Sequence, residues 1–273
     1  MTATTFRRKY GSGHSYTLDG VPKVKGVTTM MRGLPKDMEK YFTEYTAGFA
    51  LDNWDRLAAM PPAERYKEMA GATKARFSSA AVRGTEVHKL AERLTHGEEV
   101  AVPDHLRGYV KAAVQFLDDY DVKADCTEVA LFSRRYKHAG SADAFGSAQE
   151  PGELLRTNIL WDWKTTSKEP WGSVAFQFAG YKFSEFRLSG DGGKDSEELP
   201  LPPVDECWAV WLRPDGGHDV FPMHVDEDVY NELLYIDACR MADEACREYK
   251  LDALPHPETV RQFRLQEIEE EGL

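Results

Sequence analysis

The chain has 273 residues, 42% of them hydrophobic and 29% charged, with a formal net charge of −12. That balance suits one large soluble domain, or one domain with an added subdomain, and excludes a disordered or fibrous class. No apolar run approaches the roughly 18 residues a membrane span needs, and the N-terminal Met-Thr-Ala-Thr-Thr-Phe-Arg-Arg-Lys has no apolar core behind its charges. A cytoplasmic protein without a membrane partner is therefore expected.

The charge is unevenly spread. Residues 1–40 carry eight Lys/Arg against three Asp/Glu, whereas the chain from Met223 onward carries fourteen acids against five bases. A basic front permits a phosphate-binding surface on an acidic protein, and two solvated surfaces remain the plainer alternative. The four cysteines, Cys126, Cys207, Cys239 and Cys246, form no Cys-x-x-Cys pair, which disfavours a zinc ribbon. Cys239 and Cys246 fall on one face of a predicted helix, and buried free thiols are the expectation there.

In chain order, His14–Leu18 alternates polar and apolar before Asp19-Gly20, which predicts a hairpin of two short strands ending near Gly26-Val27-Thr28-Thr29. A helix is predicted over Asp37–Met60, with Tyr41, Tyr45, Phe49 and Trp54 near one side. Pro61-Pro62 stops it and opens the next, whose pattern is clear over Ala72–Thr95 and ends at Gly97. Pro103–Asp119 is a further helix. Strands are predicted at Thr127–Ser133 and Ala139–Phe145, joined by the basic Arg134, Arg135 and Lys137. A turn over Gly146–Glu153 leads to a strand ending at Asp162. Trp171–Leu188 reads as helix, Ser189–Pro203 as loop, and Cys207–Leu212 as a buried strand turning at Asp215-Gly216-Gly217 into a partner through Val220. Asp226–Lys250 is a long helix, and the last twenty or so residues read as a loose acidic tail. The order implies an α/β protein with a mixed sheet flanked by helices. It divides into an N-terminal hairpin and helical elaboration (1–70), a core (71–250) and the tail (251–273).

Several familiar chemistries are missing. No Gly-x-Ser-x-Gly elbow, phosphate-cradling Gly-x-x-x-x-Gly-Lys-Ser/Thr, Gly-x-Gly-x-x-Gly or His-Glu-x-x-His occurs. What stands out is Asn158–Ser167, an apolar β-favouring run ending in Asp162, Trp163 and Lys164. In a strand, Asp162 and Lys164 project to the same side. Such a pair at a buried strand end is costly unless its members serve each other or a ligand, although surface ion pairs of this kind are common. Gly84-Thr85-Glu86-Val87-His88 lies on the predicted helix over Ala72–Thr95 and Gly140-Ser141-Ala142-Asp143 on the second strand of the core. Gln177 and Tyr181 sit one turn apart on the helix after Lys164.

This ordered set resembles the PD-(D/E)XK nuclease superfamily, specifically its RecB-like branch. The pattern there is Gly-x-x-x-His, Gly-x-x-Asp, Asp-x-Lys and Gln-x-x-x-Tyr. The match spans Gly84 to Tyr181, with the strand at Cys207 as the last of the core. Gly26-Val27-Thr28-Thr29 is similar to phage-encoded exonucleases of the branch. The resemblance implies a restriction-endonuclease-like α/β core and a metal-dependent DNA nuclease, an exonuclease in phage replication or recombination acting in the host cytoplasm. DNA, as a duplex end or single strand, is the implied partner, with a phage recombination protein beside it. Asp143 and Asp162 would offer hard oxygen ligands to Mg²⁺ or Mn²⁺. His88 would add an imidazole, leaning towards Mn²⁺, and the Trp163 carbonyl is a further ligand by analogy. Lys164 would position the attacking water and stabilise phosphate charge.

Glu86 and His88 flank the apolar stripe of Val87, Leu90, Ala91 and Leu94 on opposite sides, each about 100° away, so helix geometry does not choose between them. The Gly-x-x-x-His spacing favours His88 and leaves Glu86 beside the site. Glu128 is expected as a neighbour of the site rather than a ligand. Gln177 and Tyr181 are expected to touch DNA, the alternative being that Tyr181 packs with Phe178 and Phe183. Arg134 and Arg135 are expected on the phosphate backbone, though exposed basic hairpins are commonplace. Relatives with four cysteines hold an iron–sulfur cluster with one Cys before the nuclease motifs. Here no cysteine precedes His88, so no cluster is expected. A catalytically silent binding module and an endonuclease on the same fold are the rival readings.

Overall fold

A computed structural model of the chain describes residues 5–10, 13–35 and 39–271. It opens with a three-stranded antiparallel meander, β1 (Phe6–Tyr10), β2 (Gly13–Leu18) and β3 (Val21–Gly26). Asp19 and Gly20 both adopt positive φ (49° and 82°), the two-residue turn whose twist suits a hairpin. β1 was not foreseen, because its Arg-Arg-Lys run hides the alternation that makes Arg7 buried and Arg8 exposed. The residues after Gly26, expected as strand end, coil into α1 (Val27–Met30).

The helix expected over Asp37–Met60 is two: α2 (Glu39–Asp52) and α3 (Trp54–Ala58). Asp37 lies outside the described residues. Asn53 makes the break, its amide bonding back to the Phe49 carbonyl at 2.9 Å, and Trp54 is left exposed rather than on the face of Tyr41 and Tyr45. α4 is one helix over Pro62–Thr95, ten residues longer than its pattern suggested, with Pro62 in its first turn. It runs unbroken across residue 70. α5 (Arg107–Asp119) follows a short 3-10 turn at Asp104–Leu106.

The central sheet is mixed. β4 (Lys123–Ser133) and β5 (His138–Ala148) pair antiparallel, and β5 continues onto β6 (Thr157–Lys164) through Ala144–Ala148. Gly146 is thus in a strand and not in the expected turn; a Cβ there would fall 2.1 Å from the Lys123 carbonyl oxygen, so only glycine fits. α6 covers Val174–Lys182, not Trp171–Leu188. The chain then leaves the helix as β7 (Phe186–Leu188), drawn to the free edge of β4, where Phe186 stacks on Phe132. β8 (Glu198–Leu199) interrupts the expected loop. β9 (Glu206–Leu212) lies parallel to β6, and β10 (His218–Met223) closes that edge.

α7 (Glu227–Ala245) is capped by Asp226, whose carboxylate accepts from the Val229 N–H at 3.0 Å. It buries Tyr230, Leu233 and Asp237, a stripe that excludes Cys239. Cys239 and Cys246 are accordingly exposed, against expectation, while Cys207 is buried in β9. The expected loose tail contains α8 (Pro257–Glu271), which begins on a proline and carries Glu258 in its first turn. Residues 251–264 are exposed.

Apolar cores cover both faces of the sheet. On one face Trp161, Trp163, Trp208 and Val210 pack against Phe116 of α5 and Val87 and Ala91 of α4. On the other, Leu160, Cys207 and Ala209 meet Phe178 and Tyr181 of α6, Val27 of α1 and Leu233 of α7. No described helix is long and apolar enough to cross a membrane.

Candidate active site

The sheet splits at one place, and the polar residues gather there. β5 pairs with β3 through His138 and Ala139, and with β6 from Ala144 onward, so Gly140–Asp143 lies between two diverging strands. Asp143 fills the gap. Its Oδ2 accepts the Trp163 backbone N–H at 2.8 Å, tying β5 to β6 where their ladder has ended. His88 of α4 reaches the same oxygen, Nδ1 to Oδ2 at 3.2 Å. At the end of β6 the Lys164 ammonium contacts Asp162 Oδ2. Asp162 Oδ1 accepts from Gln177 Nε2 at 2.9 Å, and Lys164 Nζ donates to Gln177 Oε1 at 3.0 Å.

Four elements therefore bring His88, Asp143, Asp162, Lys164 and Gln177 to one cavity of about 500 Å³. Burial opposes charge on His88, but the neighbouring Asp143 carboxylate outweighs it and raises the imidazole to about 9. Burial likewise opposes ionisation of Asp143, yet the His88 charge and hydrogen bond hold it below the usual carboxylate range. Asp162 goes the other way, pushed up by burial and by the charge of Asp143.

Among the described residues, no three His, Cys, Asp or Glu side chains form a ready-made metal cage. The charges are paired with one another instead, His88 with Asp143 and Lys164 with Asp162. The two Asp162 oxygens differ: Oδ1 takes the Gln177 amide, whereas Oδ2 is buried and is met by the Lys164 ammonium. A buried carboxylate oxygen faced by an ammonium is a place that suits positive charge. Two carboxylates and an imidazole are a donor set suited to Mg²⁺ or Mn²⁺, so the residues fit such an ion.

The remaining expected residues divide. Glu86 is absent from the cavity lining, is exposed, and lies 3.7 Å from His105, so that of the two it is His88 that faces the cavity. Trp163 buries its indole in the aromatic core, its backbone N–H is held by Asp143, and the residue borders the cavity. Glu128 lines the cavity from β4, between the Thr127–Ala144 and Val129–Ala142 pairs, and adopts a left-handed φ of 50°. Burial and the Asp143 charge push its carboxyl up. Tyr181 does not face outward: it is 3% exposed, accepts from Gln177 Nε2 at 3.1 Å, and lies against Gly140. Arg134 and Arg135 stand apart from the cavity. The Arg134 guanidinium is held by Asp19 and Glu198 and stacks over Phe186, and Arg135 folds over Tyr136.

Some cavity residues were missed. Glu92 lies one turn beyond His88 on α4, a spacing the sequence displays. Lys9, His14 and Tyr16 come from the N-terminal hairpin. Beside them Arg7, buried in β1, donates to Ser141 Oγ at 2.7 Å and sits 3.8 Å from Glu128. Nothing in the Arg-Arg-Lys run of a five-residue strand announces which of its members face a cavity. No protein-family model matches the chain, and no curated protein matches it.

Proposed function

We propose that this chain is a metal-dependent DNA nuclease of the PD-(D/E)XK superfamily, on a restriction-endonuclease-like core of the RecB-like branch. Its action would be exonucleolytic, in phage DNA replication or recombination in the host cytoplasm, beside a phage recombination protein. The observation that carries the reading is the convergence of His88, Asp143, Asp162 and Lys164 from α4, β5 and β6 on one cavity. Lys9, Lys89 and Lys164 on its walls offer positive charge to a phosphate despite the acidic total.

His88, Asp143, Asp162 and the Trp163 carbonyl would hold the cation. When bound, Mg²⁺ or Mn²⁺ supplies Lewis-acid polarisation of the phosphodiester oxygens. Lys164, tethered by Gln177, would orient the attacking water and stabilise the charge that develops on the phosphate. The closed ion pairs favour a second reading, a silent DNA- or protein-binding module in which the four charges serve only each other.

One experiment separates the two. End-labelled linear duplex and single-stranded DNA, and a circular duplex, are incubated with the protein in Mn²⁺, Mg²⁺ or chelator, beside Asp162→Ala. Metal-dependent digestion of linear DNA that vanishes in the variant supports the exonuclease; cleavage of the circle points to an endonuclease. No digestion by the wild type, with DNA bound equally by both proteins, leaves only the binding module.

A further inference from the structure

The neutral side chain of Gln177 hydrogen-bonds both members of the Asp162–Lys164 pair. Its Nε2 donates to Asp162 Oδ1 at 2.9 Å and to the Tyr181 hydroxyl at 3.1 Å, and its Oε1 accepts from Lys164 Nζ at 3.0 Å. Both amide hydrogens are therefore spent. The orientation of the amide is fixed as well: turned over, its N–H groups would face an ammonium and its oxygen a carboxylate.

The anchor behind it is rigid. Tyr181 is buried, with its ring so close to Gly140 that a Cβ on the glycine would come within 2.6 Å of it. The ring thus joins the strand bearing Asp143 to the helix bearing Gln177. Asp162 Oδ1 is occupied by Gln177, so Oδ2 is the oxygen that faces positive charge. Lys164 lies on that oxygen now and would compete with any cation for it. When the ammonium withdraws, Gln177 Oε1 is the partner it already has.

We propose that Gln177 is a positioning residue and not a DNA contact: it presents Asp162 Oδ2 to the cation and retains Lys164 at the cavity when the lysine leaves that oxygen. This rests on the nuclease reading above and names how its site is assembled. An outward contact would leave part of the amide free for DNA, whereas here both hydrogens point into the protein.

The test compares wild type, Gln177→Leu and Tyr181→Phe. Mn²⁺ affinity is read without DNA, from the electron paramagnetic resonance of free Mn²⁺. Affinity for a fluorescent oligonucleotide is read in Ca²⁺, and kcat and KM in Mn²⁺. Residues that orient metal ligands typically change metal affinity about 10–100-fold. Gln177→Leu is expected to weaken Mn²⁺ binding by about tenfold or more and to lower kcat, with oligonucleotide affinity and KM within about twofold. Tyr181→Phe, which loses only the acceptor for Gln177, moves the same quantities in the same direction by a smaller factor. Loss of oligonucleotide affinity with Mn²⁺ binding intact would overturn the proposal in favour of a DNA contact, and two variants indistinguishable from wild type would overturn it outright. A wild type that binds no Mn²⁺ would instead remove the nuclease reading on which it rests.

Discussion

Gly140→Ala tests the contact that couples two of the motifs. A Cβ built on Gly140 falls 2.6 Å from Tyr181 Cε1, 2.9 Å from Cδ1 and 3.3 Å from Val27 Cγ2. Carbon atoms prefer about 3.5–4.0 Å, so one partner must retreat by roughly 1 Å. Neither can do so freely. The Tyr181 ring is planar, buried and hydrogen-bonded at its tip, and Val27 is itself pressed against Gly180, where a Cβ would meet it at 2.6 Å. Overpacking of this kind costs about 1–3 kcal/mol. In a strand without the conflict, alanine would instead gain roughly 0.5–1 kcal/mol over glycine, so the sign of the change is informative.

Gly84→Ala is the control. Its Cβ would meet only the Thr165 hydroxyl, at 3.4 Å, and in mid-helix alanine gains up to about 1 kcal/mol. Urea melts followed by circular dichroism should show Gly140→Ala destabilised by about 1–2 kcal/mol and Gly84→Ala unchanged or stabilised. The displaced Tyr181 should also loosen Gln177, so Gly140→Ala should lose kcat on the proposed substrate. A Gly140→Ala protein as stable as wild type would refute the close approach of Tyr181 and the coupling built on it.

Three further outcomes follow from the ion pairs and buried groups. His138 is fully buried with Nε2 2.7 Å from the Tyr230 hydroxyl, and burial, aided by Lys25, lowers its pKa to about 4. Its neutral form is thus favoured in the fold: the contribution is complete above about pH 6.5 and is lost as pH falls through about 4, some 3 kcal/mol on the linkage scale. Denaturant melts between pH 7.5 and 4 should fall less steeply for His138→Gln than for wild type, and parallel curves would sink the assignment. Asp237, buried on α7, binds Arg240 at 2.7 and 2.9 Å and Lys25 at 2.5 Å. Removing it in Asp237→Ala strands two cations at a cost of about 3 kcal/mol, the low end for buried pairs because both cations retain some exposure. A change under 1 kcal/mol in the same melts would count against this network. Arg134→Ala should lose about 1 kcal/mol from a half-exposed bridge between Asp19 and Glu198, and leave KM for DNA unchanged. A raised KM would restore the phosphate contact expected from sequence.

The candidate site was legible where chemistry depends on neighbours along the chain. Asp162 and Lys164 share a face because strands repeat every two residues, and Gln177 and Tyr181 share one because helices repeat every three to four. The hairpin at Asp19-Gly20 was readable from a turn that demands positive φ. Misreadings fell where tertiary partners overrode local pattern. Phe186–Leu188 continues a helical run in sequence but becomes a strand because β4 offers an unpaired edge. Asn53 splits a helix with one side-chain bond. Glu86 and His88 were indistinguishable on the helix wheel, since what separates them is Asp143 on another element.

Gly84 and Gly140 occupy equivalent places in two short patterns, yet they do different physical work. Gly140 is required by a ring arriving from α6, 41 positions along the chain, and no local rule foretells it. At Gly84 the nearest atom is the far end of a threonine, and little forbids a methyl group. A motif records which residues recur together, whereas the reason lies in contacts between its parts. In this chain the strongest such reason is Gln177. Sequence places it a turn from Tyr181 and suggests an outward role; the fold turns it inward, bonded to both the Asp162 carboxylate and the Lys164 ammonium.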